Sequence, residues 1–472
     1  MTDSIGRTNL SQVPTPANEL DQYEAETWYN TLAGVMGNVL EWYDFALFGF
    51  FSDIIAQVFF PPAPADDAYA NLIRSFCIFG AAFLVRPLGG LIIGYVGDKH
   101  GRKHALTHSL FIMAFPTTLM GCLPTYDKAG VWAIVLLVCC RLMQGISVGG
   151  QLPASLVYTV EKRHPSTWGY YGSLPMCAAN VGTLLGNLCG ALMRQVLTEE
   201  QLLAWGWRLP FFSGILIAFV ACYLKSYAPD VHTTAGVYDR QDSEVTNPIR
   251  VALARGNRLA LLSTCMTPMI WAAGFYVSFV WMAIFMEELL DPPIKGAFWI
   301  NGISMLVSMT CMLPIAGTLS DRFGRVRLMT ISGVGLTGLG PVLLVMISKG
   351  NSWVAFLCQI GLGVLLSFFG GPLCAWLVEN FSPEVRLTSA SLGYDLSHAL
   401  VGGFSPAMAT ILFDKVGTYA PGLIYVVFGI ISLIGIYITY CCGGRKTEDT
   451  VGGDDLELKQ ANQGSGDLPD IA

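Results

Sequence analysis

The sequence predicts an all-α membrane protein whose twelve transmembrane helices form two similar bundles of six. Of its 472 residues, 53% are hydrophobic and only 13% are charged, whereas about 25% are charged in an ordinary soluble domain. Apolar stretches of about 20 residues, long enough to cross the core of a bilayer, recur from Trp28 to Cys442. A polar motif between two of these stretches occurs once in each half of the chain.

The apolar stretches set the order of the predicted elements. The predicted spans are 29–54, 70–96, 105–123, 131–160, 168–193, 208–226, 259–286, 296–319, 326–347, 352–378, 387–412 and 421–442. The remaining segments are polar, and we expect disordered cytoplasmic tails at 1–28 and 443–472 and a cytoplasmic linker at 227–258. The two bundles are therefore predicted at 29–226 and 259–442.

Basic residues concentrate on one side of the predicted membrane. Arg102 and Lys103 follow the second span, and Arg322 and Arg325 follow the eighth. Because loops rich in Lys and Arg stay in the cytoplasm, both termini are predicted to be cytoplasmic.

Two short motifs recur at nearly the same spacing in the two halves. Gly94–Lys103 reads GYVGDKHGRK, and Gly317–Arg325 reads GTLSDRFGR 223 residues later. Val160–Pro165 and Val378–Pro383 form a second pair, 218 residues apart. Two unrelated motifs with nearly one offset indicate a duplication. Repeats of this kind place a substrate site near the bilayer midplane, between the halves.

The repeated motif resembles the signature of the major facilitator superfamily, G-x-x-x-D-[RK]-x-G-[RK]-[RK]. Arg141–Gly145 (RLMQG) resembles the R-x-x-Q-G motif of the same superfamily. The resemblance covers nearly everything from Trp28 to Cys442, and it implies two six-helix halves that rock around a central site.

Three other segments resemble one branch of that superfamily, the metabolite:proton symporter family. They are Gly37–Phe45, Arg86–Gly90 and Trp207–Phe211. One position departs from the family pattern, because Gln151 stands where the family usually has Glu. A titratable group is therefore missing there.

Two acidic residues on the first span are candidates for proton coupling. Glu41 and Asp44 are three residues apart, so they share a helix face. Two close carboxylates resist ionising together, which suits a group that binds and releases a proton. The alternative is that one of them pairs with an arginine to hold helices together.

Arg86 and Arg141 are predicted inside the second and fourth spans and are candidates for binding an anionic substrate. Ionisable residues inside a membrane are rare and cost about 2.5–3.5 kcal/mol by insertion scales. The planar guanidinium fork suits a carboxylate. For Arg141, a structural or proton-relay partnership with Glu41 or Asp44 is an equal alternative.

Further substrate-binding candidates have aromatic, amide or basic side chains. They are Tyr43, Gln151, Arg208, Trp271 and Tyr276. Arg208 lies at the outer start of the sixth span, where it either lines the external mouth or anchors the helix. Trp271 and Tyr276 either surround a substrate, close an outer gate or simply pack against neighbouring helices.

The eleventh span carries a second predicted proton-coupling pair, Asp395 and His398, on one helix face. A histidine can titrate near neutral pH, as a proton-coupled step requires. A pair that only packs helices together is the alternative.

The repeated motifs and the residues near them are predicted to form a gate. Asp, Arg and Gly at this spacing tie adjacent helices and cap unpaired backbone groups at helix ends, and the resemblance implies a latch on the cytoplasmic face. The predicted gating residues are Asp98, Arg102, Glu161, Asp321, Arg325 and Glu379.

Together these features predict a proton-coupled secondary transporter of a small carboxylate-bearing metabolite, such as an organic acid. A symporter of a zwitterion such as proline or betaine is the alternative within the same class. A nutrient sensor that keeps the transporter fold without net flux is a third possibility, from another class.

The sequence shows no nucleophile and base, no metal-binding cluster and no nucleotide-binding loop of the G-x-x-x-x-G-K-[ST] type. We therefore expect neither an enzyme nor a nucleotide-driven pump, and no cofactor. The expected partners are a small-molecule substrate, protons and the lipid bilayer, with no nucleic acid. A monomer is expected in the plasma membrane, or in the inner membrane of a bacterium.

Overall fold

A computed structural model describes residues 37–62, 69–100, 102–161, 163–227, 257–381 and 386–440. Within these ranges the regular structure is helical and no strand occurs. Ten helical segments among these residues are long and apolar enough to cross a membrane.

Twelve helices in the described ranges correspond to the predicted spans. In the first half they are α1 (37–50 and Ser52–Phe59), α2 (Ala70–Leu84 and Arg86–His100), α3 (Arg102–Cys122), α4 (Val131–Glu161), α5 (Trp168–Val196) and α6 (Arg208–Phe211 and Ser213–Tyr227). In the second half they are α7 (Arg258–Leu289), α8 (Ala297–Phe323), α9 (Arg325–Ile347), α10 (Ser352–Glu379), α11 (Arg386–Ser397, His398–Gly402 and Ser405–Lys415) and α12 (Ala420–Tyr440).

The predicted boundaries that fall on described residues agree with these helices to within a few residues, except that α1 continues past residue 54 to Phe59. The predicted start of the first span at 29 and end of the last at 442 lie outside the described residues. The predicted tails at 1–28 and 443–472, and nearly all of the predicted linker at 227–258, lie outside the described residues.

Burial divides the helices into central and peripheral ones. The apolar window of α7 is 100% buried, whereas those of α9 and α12 are only 33% and 39% buried. A helix that is apolar all round and fully buried lies at the centre of a bundle, while one with an exposed apolar face is suited to lipid. Helix α7 therefore lies in the middle of the molecule.

Small residues allow α5 of the first half to approach α8 of the second half closely. A Cβ atom added to Gly169 would lie only 2.4 Å from the carbonyl oxygen of Gly317, and the reverse is also true. Membrane helices commonly pack through such small residues. This contact lies at the motif face, the end of the molecule that carries Asp321 and Arg325. The other end, which carries Asp53 and Arg194, is called the opposite face.

Several helices contain π-helical turns, in which one extra residue widens the helix. Among the described residues they occur at Leu202–Gly206, Tyr276–Trp281, Phe285–Leu289, Leu306–Thr310 and His398–Gly402. Such turns are rare and are frequent at functional sites. Two of them begin at Tyr276 and His398, which both line the cavity described next.

Candidate substrate and proton site

A small cavity lies between the two halves and has a largely aromatic wall. The lining residues are Trp42, Met176, Ala179, Asn180, Trp271, Phe275, Tyr276, Tyr394 and His398. They come from α1 and α5 of the first half and from α7 and α11 of the second. The cavity volume is about 10 Å³, which is room for about one water molecule and far below the roughly 300–1,000 Å³ of typical small-molecule sites.

Arg86 on α2 is fully buried beside this cavity. Its Nε atom lies 3.4 Å from Oδ1 of Asp395 on α11, so the ion pair joins the two halves. Its guanidinium carbon lies 5.8 Å from the ring centre of Trp42 and 5.3 Å from that of Phe83. None of its three guanidinium nitrogens makes a hydrogen bond. Arg86 therefore keeps donors for an anionic group.

Glu41 on α1 is buried close to this ion pair. Its side chain is 1% exposed, and neither carboxyl oxygen has a hydrogen-bond partner. The side chains of Arg86, Asp395 and Asp44 lie close enough to interact with it electrostatically. A buried ionised carboxylate without hydrogen bonds is costly, and taking up a proton relieves that cost. Glu41, Arg86 and Asp395 are named the central cluster below.

Three lining side chains add further unpaired polar atoms around the cavity. They are Nε1 of Trp42, the hydroxyl oxygen of Tyr276 and Oδ1 of Asn180. Each buried polar atom without a partner costs about 1–3 kcal/mol. Their concentration around one cavity, next to the central cluster, makes this cavity the candidate site for a polar ligand.

His398 lines the cavity one helical turn after Asp395. Its Nδ1 lies 2.9 Å from the carbonyl oxygen of Tyr394. Because a carbonyl oxygen only accepts, Nδ1 carries the hydrogen of this bond, and Nε2 of the neutral ring is an acceptor. The imidazole also packs on the ring of Tyr394, with ring centres 4.0 Å apart.

Asp44 belongs to a second charged group, which lies inside the first half. Its Oδ2 accepts hydrogen bonds from Thr117 at 2.6 Å and from Gln144 at 2.9 Å. Arg141 donates to Oε1 of Gln144 at 2.8 Å. Helices α1, α3 and α4 are thereby joined. Asp44, Thr117, Gln144 and Arg141 are named the Asp44 cluster.

Two phenylalanine rings flank the guanidinium group of Arg141. Its guanidinium carbon lies 4.5 Å from the ring centre of Phe45 and 4.4 Å from that of Phe48. Arg141 does not line the cavity, so its predicted contact with a substrate has no counterpart in this arrangement. The alternative prediction, a partnership with Asp44, corresponds to the contact that runs through Gln144.

The other predicted substrate residues divide into two groups. Trp271 and Tyr276 line the cavity. Tyr43 packs instead beside Cys189 and Ser213 of α5 and α6. Arg208 donates to the carbonyl oxygens of Gly121 and Leu123 at 3.0 and 2.6 Å, and so caps the end of α3.

Four predicted residues have side chains outside the part of the chain that the structure describes. They are Asp98, Arg102, Gln151 and Glu161. Their predicted roles in gating and substrate binding therefore stay predictions.

At the motif face, Asp321 of the second half caps a helix of the first half. Its carboxylate oxygens accept hydrogen bonds from the backbone nitrogens of Gly169 at 2.8 Å and Tyr170 at 3.0 Å, at the start of α5. A carboxylate there satisfies two otherwise unpaired amides and complements the helix dipole. Arg325 bridges Asp321 and Glu379. The predicted gating residues of the second half thus lie together and contact the first half.

At the opposite face, an ion pair and an amide pair join α1, α5 and α8. Arg194 on α5 contacts both carboxylate oxygens of Asp53 at 2.7 Å, and its guanidinium carbon lies 4.1 Å from the ring centre of Phe298. Asn187 receives a hydrogen bond from Asn301 at 2.8 Å. The sequence reasoning missed these residues, because an arginine near a helix end and neutral amides are not unusual in membrane proteins.

Comparisons with known proteins agree with this two-half arrangement. A family model described as "Sugar (and other) transporter" matches residues 30–231, and one described as "Major Facilitator Superfamily" matches residues 296–458. The citrate-proton symporter of Klebsiella pneumoniae is 31% identical over 389 residues, which are 82% of this chain and 86% of the symporter. The chain belongs to the major facilitator superfamily. The predicted resemblance to its metabolite:proton symporters is confirmed.

Two other relatives within the superfamily have similar coverage. The proline/betaine transporter of Escherichia coli K12 is 28% identical over 394 residues, or 81% of this chain and 77% of that protein. OusA of Dickeya dadantii, a transporter of glycine betaine, proline, ectoine and pipecolic acid, is 28% identical over 410 residues, or 85% of this chain and 81% of that protein. These superfamily relatives are transporters rather than enzymes.

Solved structures of the superfamily share the fold. The xylose transporter XylE of Escherichia coli, in a partially occluded inward-open conformation, matches with a TM-score of 0.67 at 18% identity, over 88% of this chain and 97% of XylE. The twelve-helix prediction is therefore confirmed, and the chain is a multi-pass membrane transporter.

Proposed function

We propose that this protein is a proton-coupled symporter of a small carboxylate-bearing metabolite and works by alternating access. The observation that carries the proposal is the central cluster: Arg86, whose guanidinium donors are unpaired, lies between the halves beside the unpartnered carboxyl group of Glu41. A cation with free donors and an adjacent proton acceptor are the two elements that symport of an acid requires.

Each member of the central cluster has a distinct role in this proposal. The substrate carboxylate binds the guanidinium of Arg86 and competes there with Asp395, so binding loosens the ion pair that joins α2 to α11. Glu41 carries the coupled proton, because no hydrogen bond in the structure holds it in the ionised form. Charge-assisted contacts between arginine and carboxylate are strong and bidentate.

A zwitterion is the second candidate substrate, and the aromatic wall of the cavity favours it. The rings of Trp42, Trp271, Phe275, Tyr276 and Tyr394 line the site. A positively charged nitrogen is attracted to the faces of such rings, by about 2 kcal/mol or more when it is desolvated. Arg86 would then hold the carboxylate, and the rings would hold the ammonium group.

We further propose that the motif face is cytoplasmic, as the basic residues Arg322, Arg325 and Arg327 near it suggest. Both termini are then cytoplasmic, and the protein acts as a monomer in the plasma membrane, or in the inner membrane of a bacterium. Contacts of Asp321 with the start of α5 serve as a latch on that face.

Uptake into proteoliposomes tests the proposal. Purified protein is reconstituted and given radiolabelled citrate, succinate, L-proline or glycine betaine, with and without an imposed pH gradient that is alkaline inside. At least one of the two substrate classes should accumulate, and a proton ionophore should abolish that accumulation.

Two results would contradict the proposal. Accumulation that ignores the pH gradient would exclude proton coupling, and the absence of uptake for every acid and zwitterion would exclude the substrate class. Liposomes that contain the Arg86→Met variant, which lacks the predicted carboxylate contact, provide the matched control.

A further inference from the structure

We propose that Asn180 on α5 accepts a hydrogen bond from the substrate. The preferred substrate then carries a hydroxyl or N–H group in addition to its carboxylate. This inference rests on the proposed function, since it names a chemical feature of the cargo at the same site. It assigns a specificity-determining role to a residue that carries no charge and belongs to none of the motifs above.

The amide of Asn180 has a defined orientation. Its Nδ2 donates to the carbonyl oxygen of Met176, one turn earlier in α5, at 3.1 Å. Because that carbonyl oxygen can only accept, the nitrogen rather than the oxygen must face it. The atom left over is Oδ1, which is buried and has no hydrogen-bond partner. The residue itself lines the cavity and is 2% exposed.

A second buried asparagine on the same helix shows the contrast. In Asn187, two turns further along α5, Nδ2 donates to the carbonyl oxygen of Phe298 at 2.8 Å, and Oδ1 accepts from Asn301 at 2.8 Å. Both amide atoms of Asn187 are therefore used in joining the halves. Asn180 uses only its donor, within its own helix, and keeps its acceptor for the cavity.

An acceptor held in this way selects between substrates that differ in one polar hydrogen. A substrate hydroxyl or ammonium N–H satisfies Oδ1, whereas a C–H or N–CH₃ group in its place leaves the oxygen buried and unpaired. Sites built to hydrogen-bond a substrate group reject analogues that lack it, by factors of up to about 10⁴–10⁵. For one neutral acceptor at the edge of a small cavity, we expect a preference of about 10- to 100-fold.

Two matched pairs of substrates test this preference for either substrate class. Citrate is paired with propane-1,2,3-tricarboxylate, which lacks the hydroxyl, and L-proline with N,N-dimethyl-L-proline, which lacks N–H. Uptake into proteoliposomes under a pH gradient gives kcat/KM for each compound with the wild-type protein, Asn180→Leu and Asn180→Ala. The wild type should prefer the donor-bearing member of the transported pair, and both variants should bring the ratio close to one.

Asn187→Leu is the control, because it places the same substitution on the same helix outside the cavity. It should slow uptake of both members of a pair and leave their ratio unchanged.

Each remaining outcome is decisive. Equal transport of both members by the wild type would overturn the inference and leave the proposed function intact, and so would an unchanged ratio in the Asn180 variants. Accumulation of only succinate or glycine betaine, which carry no hydroxyl or N–H group, would also overturn the inference alone. If none of these acids and zwitterions accumulates in response to the gradient, the proposed function itself fails and the inference fails with it. The wild-type ratio is informative even if neither Asn180 variant folds.

Discussion

Two carboxylates lie one turn apart on α1. Both are acidic residues in the same apolar span, but their surroundings in the structure differ. Asp44 accepts hydrogen bonds from Thr117 and Gln144, so it joins helices of the first half. Glu41 makes no hydrogen bond and interacts electrostatically with the charged side chains of Arg86 and Asp395. For this reason the proposed function assigns the coupled proton to Glu41 and not to Asp44.

Replacing Glu41 by Gln should therefore uncouple transport from the proton gradient. The amide keeps the size of the side chain but cannot bind and release a proton at the required step. In proteoliposomes, accumulation driven by a pH gradient should be lost, while exchange of internal for external substrate should stay within about threefold of wild type, since exchange needs no net proton movement. Asp127→Asn, which neutralises an exposed carboxylate of the short helix Tyr126–Ala129 between α3 and α4, should leave both activities unchanged. Gradient-driven accumulation by Glu41→Gln would remove Glu41 from the proton pathway.

The ion pair between Arg86 and Asp395 should affect stability in a way that depends on both partners. Removing one member of a buried pair leaves an uncompensated charge and typically costs about 3–5 kcal/mol, whereas replacing both with apolar residues costs much less. Asp395→Leu and Arg86→Met should each lower the unfolding temperature in detergent, and the double variant should unfold at a higher temperature than Arg86→Met alone. Additive losses would show that the two side chains are not coupled.

At the residue scale, the sequence identified charged positions but not their partners. Glu41, Arg86 and Asp395 stood out because an ionisable group inside an apolar span has few reasons to be there. That Arg86 pairs with Asp395 depends on how α2 packs against α11, which spacing along the chain does not encode. Asn180 gave no signal, because a neutral amide is common in membrane helices and only its unpaired oxygen distinguishes it.

At the scale of elements, α5 is the helix through which the two halves contact each other along most of its length. Its first turn is capped by Asp321 of the second half, and Gly169 lies in close contact with Gly317 of α8. Towards its other end, Asn187 bonds to Phe298 and Asn301. The sequence predicted this helix and showed the same motif spacing in the two halves. Only the tertiary structure shows that α5 is the helix that Asp321 caps.

A larger residue at Gly169 should keep the motif face from closing. A Cβ atom there would lie 2.4 Å from a backbone oxygen of Gly317, and backbone cannot move aside as a flexible side chain can. Gly169→Val should slow transport at least tenfold and increase labelling of a cysteine introduced near the motif face by a membrane-impermeant reagent. Gly338→Ala is the matched control, because a Cβ atom at Gly338 would meet nothing within 4 Å. Wild-type rates in Gly169→Val would mean that the contact is not needed for closure.

Removing the helix cap that Asp321 provides should also slow transport, but less than Gly169→Val does. Asp321→Ala removes the acceptor for two backbone amides at the start of α5, and loss of a helix cap costs about 0.5–2 kcal/mol. We expect slower transport with substrate affinity unchanged within about twofold, measured by equilibrium binding. A loss of binding in folded protein would contradict a purely gating role.

At the scale of the whole molecule, the charge distribution predicts the orientation. Basic residues such as Arg322 and Arg325 lie at the motif face, and loops rich in Lys and Arg remain in the cytoplasm. Because an even number of spans brings both ends to the same side, tags fused to the two ends should both resist protease in intact cells and both be cleaved in inverted vesicles. Cleavage of either tag from outside intact cells would contradict the proposed topology.

The division into two halves was predictable from the repeat, whereas the difference between them was not. Among the described residues, most buried charged side chains belong to the first half, including Glu41, Asp44, Arg86 and Arg141. The π-helical turns occur mainly in the second half, at Tyr276–Trp281, Phe285–Leu289, Leu306–Thr310 and His398–Gly402. Neither pattern follows from the motifs, which are nearly the same in both halves.

The uneven π-helical turns bear on how the two copies diverged after the ancestral duplication. An insertion of one residue in a helix is the simplest origin of such a turn, and it survives only where the neighbours tolerate a wider helix. In the second half, three of the four π-helical turns lie on α7 and α11, the helices that line the cavity, whereas α1, α2 and α4 of the first half, which carry its buried charges, contain none among the described residues. The first half thus holds its buried charges on regular helices, and the second half presents wider helical turns to the cavity, so we expect that exchanging the halves between relatives is tolerated less well than their similar motifs suggest.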